Sequence, residues 1–231
     1  MPAENPVANV TLAVSTVIFA LRPTPTSGRP TVWLPLVRRI REPHHGLWAL
    51  PGGPLGSDED LQTAAANTLD ETTGLTPRYL EQLYAFGDVD RSPGARVVSI
   101  VYWALVGAEE AADAVVTENV RWFEADDLPK LAFDHNRIVE YALWRLRNKL
   151  EYSHIAHAFL GDTFTLADLR GVHEAVLGKQ LDPANFRRQV EASGQVVPTQ
   201  QLQTGGRHRP ARLYRYNCQL DPVDNGPLFA R

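Results

Sequence analysis

Apolar, β-branched runs at Thr11–Leu21 and Thr31–Val37 open the chain, separated by the Pro-, Gly- and Ser-bearing stretch Arg22–Pro30. This pattern predicts two strands joined by a loop. A short apolar run, Leu47–Leu50, precedes Pro51-Gly52-Gly53. Residues Asp60–Thr73 then show helical spacing, with Leu61, Ala64, Ala65 and Leu69 on one side and Gly74 as the C-terminal stop. Leu83–Phe86, Arg96–Val106 and Val120–Phe123 read as further strands. Asp134–Lys149 reads as an amphipathic helix with Ile138, Tyr141, Ala142 and Leu146 on its apolar face. Strands interleaved with helices in this order predict an α/β/α sandwich on a mixed sheet over residues 1–150.

The pattern changes near Glu151. Three short helical stretches follow, about Ser153–Phe159, Thr165–Leu177 and Pro183–Ala192, and then two extended runs around the turn Thr204-Gly205-Gly206-Arg207. Three helices and a hairpin predict a winged helix-turn-helix over 151–217, with 218–231 as a tail. Thr165 has the chemistry of an N-cap, and Asp182-Pro183 is a helix start with proline at its first position. Pro183–Ala192 takes the place of a recognition helix, with Phe186 and Val190 turned to the core. The candidate DNA contacts are Thr165 at the start of the preceding helix, then Asn185, Arg187 and Arg188. On the wing they are Arg207, His208, Arg209 and Arg212, spaced to reach phosphates or a minor groove. A small helical dimerisation appendage with solvated arginines is the alternative.

Composition refines this division. A hydrophobic content of 44% supports a packed core, and the single Cys218 excludes an internal disulfide and suits a reducing, cytoplasmic setting. The apolar segment Val7–Leu21 is too short and too β-branched for a membrane helix, so no membrane partner is expected. The net charge of −4 conceals an asymmetry: residues 1–150 carry 14 Lys/Arg against 19 Asp/Glu, and residues 151–231 carry 9 against 8. Between Lys179 and Asn217 there are 7 basic residues, opposed only by Asp182 and Glu191. An anionic partner for that end follows.

The chemistry of the first half centres on residues 53–75. Gly53, Glu59, Leu69, Glu71, Gly74 and Leu75 fall on the frame G-x5-E-x7-R-E-U-x-E-E-x-G-U, so the segment resembles a Nudix box. Asn67 stands where the pattern has Arg, and Thr68 and Thr72 stand where it has Glu. Positions 68, 71 and 72 share one helix face. In a working Nudix enzyme, carboxylates on that face hold the Mg²⁺ or Mn²⁺ that bridges a diphosphate and activates water; hard cations need several such oxygens. Here Glu71 alone remains of the three, so no catalytic residue and no required metal or cofactor is assigned. Ser57-Asp58-Glu59-Asp60 also reads as an N-cap with acids that suit the helix dipole. The expected effector contacts are Arg39, Gly52, Gly53, Glu59 and Glu71. The two glycines would let the backbone approach a ligand, and the helix N-terminus would offer amides to phosphate. Arg38 and Arg41 are further candidates to neutralise a diphosphate, and Trp48 either stacks on adenine or fills the core.

The halves together resemble the Nudix-related transcriptional regulators of NAD metabolism, the NrtR family, over roughly residues 8–217. The resemblance rests on Trp48-Ala49-Leu50-Pro51-Gly52-Gly53, Leu131-Ala132-Phe133-Asp134-His135, Arg147-Asn148-Lys149-Leu150-Glu151-Tyr152 and the wing from Gly206 to Tyr216. It implies a homodimeric repressor of NAD synthesis or salvage genes that binds a palindromic double-stranded operator. Its Nudix-like domain would sense ADP-ribose or a related nucleotide, and binding would alter the arrangement of the two DNA-binding domains. The helix Asp134–Lys149 is the expected lever. In that family the box is often degenerate, which agrees with Thr68 and Thr72. Two other readings compete: an active hydrolase of the ADP-ribose pyrophosphatase kind with an accessory domain, and an inactive Nudix scaffold that binds another protein.

Overall fold

A computed structural model describes residues 9–112, 114, 118–152, 155–203 and 210–217. Its elements run β1 (Val10–Pro23), β2 (Pro30–Arg38), β3 (Trp48–Ala49), β4 (Gly52–Pro54), α1 (Leu61–Thr73), β5 (Tyr79–Phe86), β6 (Arg96–Val106), α2 (Ala108–Ala112), β7 (Val120–Glu124) and α3 (His135–Tyr152). A 3₁₀ turn (Ile155–Phe159), α4 (Leu166–Leu177), α5 (Pro183–Ser193), β8 (Val196–Gln203) and β9 (Ala211–Tyr216) complete it. Two compact units result. One comprises the chain up to Arg22 with Val32–Arg145; the other comprises the loop Pro23–Thr31 with the chain from Leu146 onward. The division falls inside α3, the helix that also contains the expected boundary at residue 150.

In the first unit the strand order is β3-β2-β1-β6-β5, with β4 paired to β1 and β7 to β2. β1 and β6 run parallel from Val10↔Arg96 to Ala20↔Val106, whereas β5 and β6 are antiparallel, so the sheet is mixed as expected. Central strands buried on both faces need continuous apolar runs. β1 supplies one, with Val17, Ile18, Phe19 and Ala20 fully buried, and β6 supplies another from Val101 to Val106. Leu69 of α1 packs among Ile18, Ala104 and Val106, while Ala64 and Ala65 meet Val14 and Tyr102. Gly74, at φ 68°, ends α1 and donates its N–H to the Asp70 carbonyl.

Two elements were not expected. β4 carries no alternation, because Gly-Gly-Pro has no apolar side chains, and is defined by pairing of Gly52, Gly53 and Pro54 with Ser15, Val14 and Ala13. The short α2 follows β6 directly. The cap of α1 also differs from the expectation: Asp60, not Ser57, accepts the Thr63 N–H, at 2.8 Å.

In the second unit Thr165 caps α4 through a reciprocal box with Asp168, and Gly178 ends it in the left-handed conformation. Asp182 caps α5 with Pro183 at the first helical position. Leu169, Val172, Val176, Phe186, Val190, Val196 and Tyr214 form the buried set that holds α4, α5 and the β8–β9 hairpin. Phe164 extends the hairpin by exchanging two backbone hydrogen bonds with Tyr214, at 3.0 and 2.8 Å. No helix among the described residues is long and apolar enough to cross a membrane.

Candidate functional site

The loop after β2 and the turn around β4 face the outer side of α1 across a cavity of about 630 Å³. All five expected effector residues, Arg39, Gly52, Gly53, Glu59 and Glu71, line it, together with Arg38, Arg41, Asn67, Thr68 and Thr72. The motif frame explains this convergence: the β4 turn places Gly52 and Gly53, and helical spacing puts 67, 68, 71 and 72 on one face.

Gly52 has a role other than the one expected. A Cβ on Gly52, whose φ is 153°, would lie 2.3 Å from the Val14 carbonyl oxygen and 2.8 Å from Ser15 Cα. The contact that excludes a side chain there is therefore β1, not a ligand. Gly53 has nothing within 4 Å of the same position and lies open to the cavity. Gly52→Ala is accordingly expected to destabilise the protein by about 3 kcal/mol, since backbone must shift to admit the methyl; Gly53→Ala should be far milder. Urea denaturation of the two variants checks this, and equal midpoints would refute the assignment.

The carboxylates are few. Glu71 is exposed, and Glu59 is partly committed, accepting the Gly56 N–H at 3.0 Å. The Thr72 hydroxyl donates to the Thr68 carbonyl at 2.6 Å, so it turns back into the helix. Among the described residues no three His, Cys, Asp or Glu side chains come together as a metal-binding group. One available carboxylate, one committed carboxylate and two threonines do not fit a divalent cation that needs several anionic oxygens. At the helix terminus, Asp60 accepts the Thr63 N–H and the Asp60 carbonyl accepts that of Ala64. Those two amides are satisfied within the protein.

Positive charge comes from the other wall. Arg38 and Arg41 are exposed, whereas Arg39 is half-buried and fixed. Its Nε–H donates to the Pro43 carbonyl at 2.8 Å, and its guanidinium lies 4.7 Å from the centroid of the Phe133 ring. Trp48 is half-buried with its ring edge-on to Phe123 at 5.1 Å, and it does not line the cavity. That position favours the packing role over adenine stacking.

Sequence reading missed a buried polar cluster behind the cavity. Arg91 makes a two-pronged contact with Asp134, at 3.0 and 2.7 Å, and donates to Ser99 Oγ at 3.0 Å. His135, only 6% exposed, accepts the Leu50 N–H on Nδ1 at 2.9 Å. Burial drives its pKa down to about 4; Arg91, Arg39 and His44 act in the same direction, while Asp134 opposes. The string Leu131–His135 was visible in the sequence, but nothing in it disclosed these partners.

His135 has a consequence for pH. Its folded pKa lies below the ordinary 6.5, so the neutral imidazole contributes stability that is fully present above pH 6.5 and is lost as pH falls toward 4. About 3 kcal/mol is expected to disappear over that window. His173, beside Phe186, shifts the same way through burial. Urea midpoints should fall from pH 7.5 to 4.5, and His135→Gln, whose amide oxygen can still accept from Leu50, should flatten the slope. An unchanged slope in that variant would contradict the assignment.

On the second unit, Asn185, Arg187 and Arg188 all project from the exposed side of α5, while Phe186 and Val190 are buried as expected. Arg188 donates to Asn185 Oδ1 at 2.6 Å, and Arg187 pairs with Glu191 at 3.0 Å. Arg212 is exposed on β9. Thr165 departs from its expected role as a DNA contact: it is 3% exposed and its hydroxyl serves the capping box with Asp168. Arg207, His208 and Arg209 lie outside the described residues.

Comparison with known proteins covers both units. The family model of the NUDIX domain matches residues 13–142, and that of the NrtR DNA-binding winged helix domain matches residues 156–216. A relative from Acinetobacter baylyi, the ADPR responsive transcriptional repressor NtrR, is 35% identical over 189 residues, 80% of this chain and 75% of its own. The crystal structure of Shewanella oneidensis NrtR superimposes with a TM-score of 0.76 at 33% identity, covering 90% of this chain and 94% of that one. Its complex with a 27mer DNA gives 0.75 at 34% identity, covering 89% and 93%. The ADP-ribose pyrophosphatase of Methanocaldococcus jannaschii is 34% identical over 111 residues, 48% of this chain and 66% of its own.

Proposed function

The chain belongs to the NrtR family of Nudix-domain transcriptional regulators, and from that premise we propose that it represses NAD synthesis or salvage genes under the control of ADP-ribose. The observation that carries this reading is the pairing of two surfaces in one chain. One is an arginine-lined cavity poor in carboxylates; the other is a basic recognition helix on a winged-helix unit. Asn185, Arg187 and Arg188 of α5 contact operator DNA, as do Arg212 of the hairpin and Arg207, His208 and Arg209. Two copies act together on a palindrome, because one recognition helix reads one half-site. The protein works in the cytoplasm, where its genes and effector are.

In the cavity, Arg38, Arg39 and Arg41 neutralise the ligand's diphosphate, and Glu59, Glu71 and the Gly53 backbone fix its polar groups. Arginine is suited to this by its planar fork of donors. The ligand is bound without turnover, since Thr68 and Thr72 supply no anionic oxygens for a catalytic cation. ADP-ribose must favour one arrangement of the dimer; a preference of about 3 kcal/mol changes operator affinity roughly a hundredfold. The likeness to a pyrophosphatase supports a second reading, hydrolysis, which rapid formation of AMP from ADP-ribose with Mg²⁺ or Mn²⁺ would establish. A gel shift on the protein's own upstream region and on NAD-gene promoters, with and without ADP-ribose, tests the first. Absence of any retarded complex would defeat it.

A further inference from the structure

Among the described residues, Arg39 is the one arginine of the cavity wall whose guanidinium is held by side-chain contacts to protein carbonyls and a ring. Its backbone N–H donates to the Leu47 carbonyl, its Nε–H to the Pro43 carbonyl at 2.8 Å, and an Nη2 hydrogen to the Arg41 carbonyl at 3.4 Å. These side-chain contacts use two of the five N–H groups that a guanidinium carries. Its flat face rests on Phe133, 4.7 Å from the ring centroid. Phe133 stands behind Arg39 and does not line the cavity.

The position of Phe133 is itself unusual. Its φ of 55° lies in the left-handed region that a bulky side chain rarely adopts. The flanking backbone enforces it: the Ala132 N–H donates to the Trp48 carbonyl at 2.8 Å, and Leu131 forms a bridge with Trp48. His44, also at positive φ, meets the ring edge-on at 4.8 Å, and the His135 ring lies 5.4 Å away. Strain of this kind persists where surrounding contacts over-determine it, and a functional site is where it is found.

We propose that Phe133 is a positioning residue for ligand binding: its ring, with the Pro43 carbonyl, holds the Arg39 guanidinium ready for the diphosphate, so that affinity depends on a side chain the ligand does not touch. This rests on the reading of the cavity as a nucleotide-diphosphate site. An arginine free in water samples many rotamers, and ordering it on ligand arrival would cost affinity. A ring already beneath it removes much of that cost and adds the attraction of a π face for a cation.

Phe133→Leu tests the idea, because leucine suffers the same backbone strain and lacks the π face, and the Arg39→Ala background separates that loss from the loss of the ring's contacts with His44 and His135. In the full chain, titration calorimetry with ADP-ribose and with inorganic pyrophosphate should show both ligands weakened about tenfold, with the variant still folded and its thermal midpoint only slightly lowered. Phe133→Tyr, which keeps the ring, should restore binding. In an Arg39→Ala background, Phe133→Leu should have no further effect. Wild-type affinity in Phe133→Leu, or an equal loss in the Arg39→Ala background, overturns the inference alone. Wild-type protein that binds neither ligand overturns the cavity assignment and this inference with it.

Discussion

Replacing Arg187 and Arg188 together with alanine is expected to weaken operator binding about a hundredfold, since in the proposed reading both lie on the helix that enters the major groove. The salt dependence should fall as well, by about one unit of slope for each lost phosphate contact. Stability should change little. Both side chains are exposed, and Glu191 keeps the Tyr214 hydroxyl as a partner at 3.1 Å. Fluorescence anisotropy on a palindromic duplex at several salt concentrations reads both effects. Unchanged affinity in a folded double variant would remove α5 from the interface.

Arg91→Ala is the second large effect, and it concerns stability. The Arg91 side chain is 4% exposed and that of Asp134 16%, so removing the guanidinium strands a carboxylate that water barely reaches. Breaking such a pair from one side costs about 3–5 kcal/mol. Because Asp134 immediately precedes α3 and His135 begins it, the loss should also loosen the start of that helix. Chemical denaturation should show the drop, and Arg91→Met combined with Asp134→Asn should recover part of it by leaving no buried charge unpaired. A single variant as stable as wild type would show that the pair contributes nothing.

Much of the fold was legible because its strongest elements follow simple periodicities. β1 and β6 are continuous β-branched and aromatic runs, and Gly74 ends α1 in the left-handed conformation that favours glycine. β4 was not legible, since its pairing with β1 is specified by the absence of side chains. The cap of α1 was ambiguous within a run of four polar residues, and geometry selected Asp60. The candidate cavity was legible to the extent that a spacing motif fixes a helix face, which brought Glu59, Glu71, Gly52 and Gly53 together with Arg39. The Arg91–Asp134 pair spans 43 residues and has no local signal. Phe133 depends on a positive φ, and the Arg39 guanidinium above it is held by the Pro43 and Arg41 carbonyls; a residue pattern encodes neither. Thr165 shows the reverse case: its capping chemistry was evident, and burial excludes the second role proposed for it.

The central claim is that one chain couples a ligand it does not destroy to a DNA site. The most direct measurement mixes the full-length protein, a labelled operator duplex, Mg²⁺ and ADP-ribose, follows anisotropy, and assays the nucleotide in the same sample. The account predicts a large shift in operator affinity, on the order of a hundredfold, with the ADP-ribose recovered intact. An operator affinity indifferent to ADP-ribose, or rapid conversion of the ligand to AMP, would contradict it.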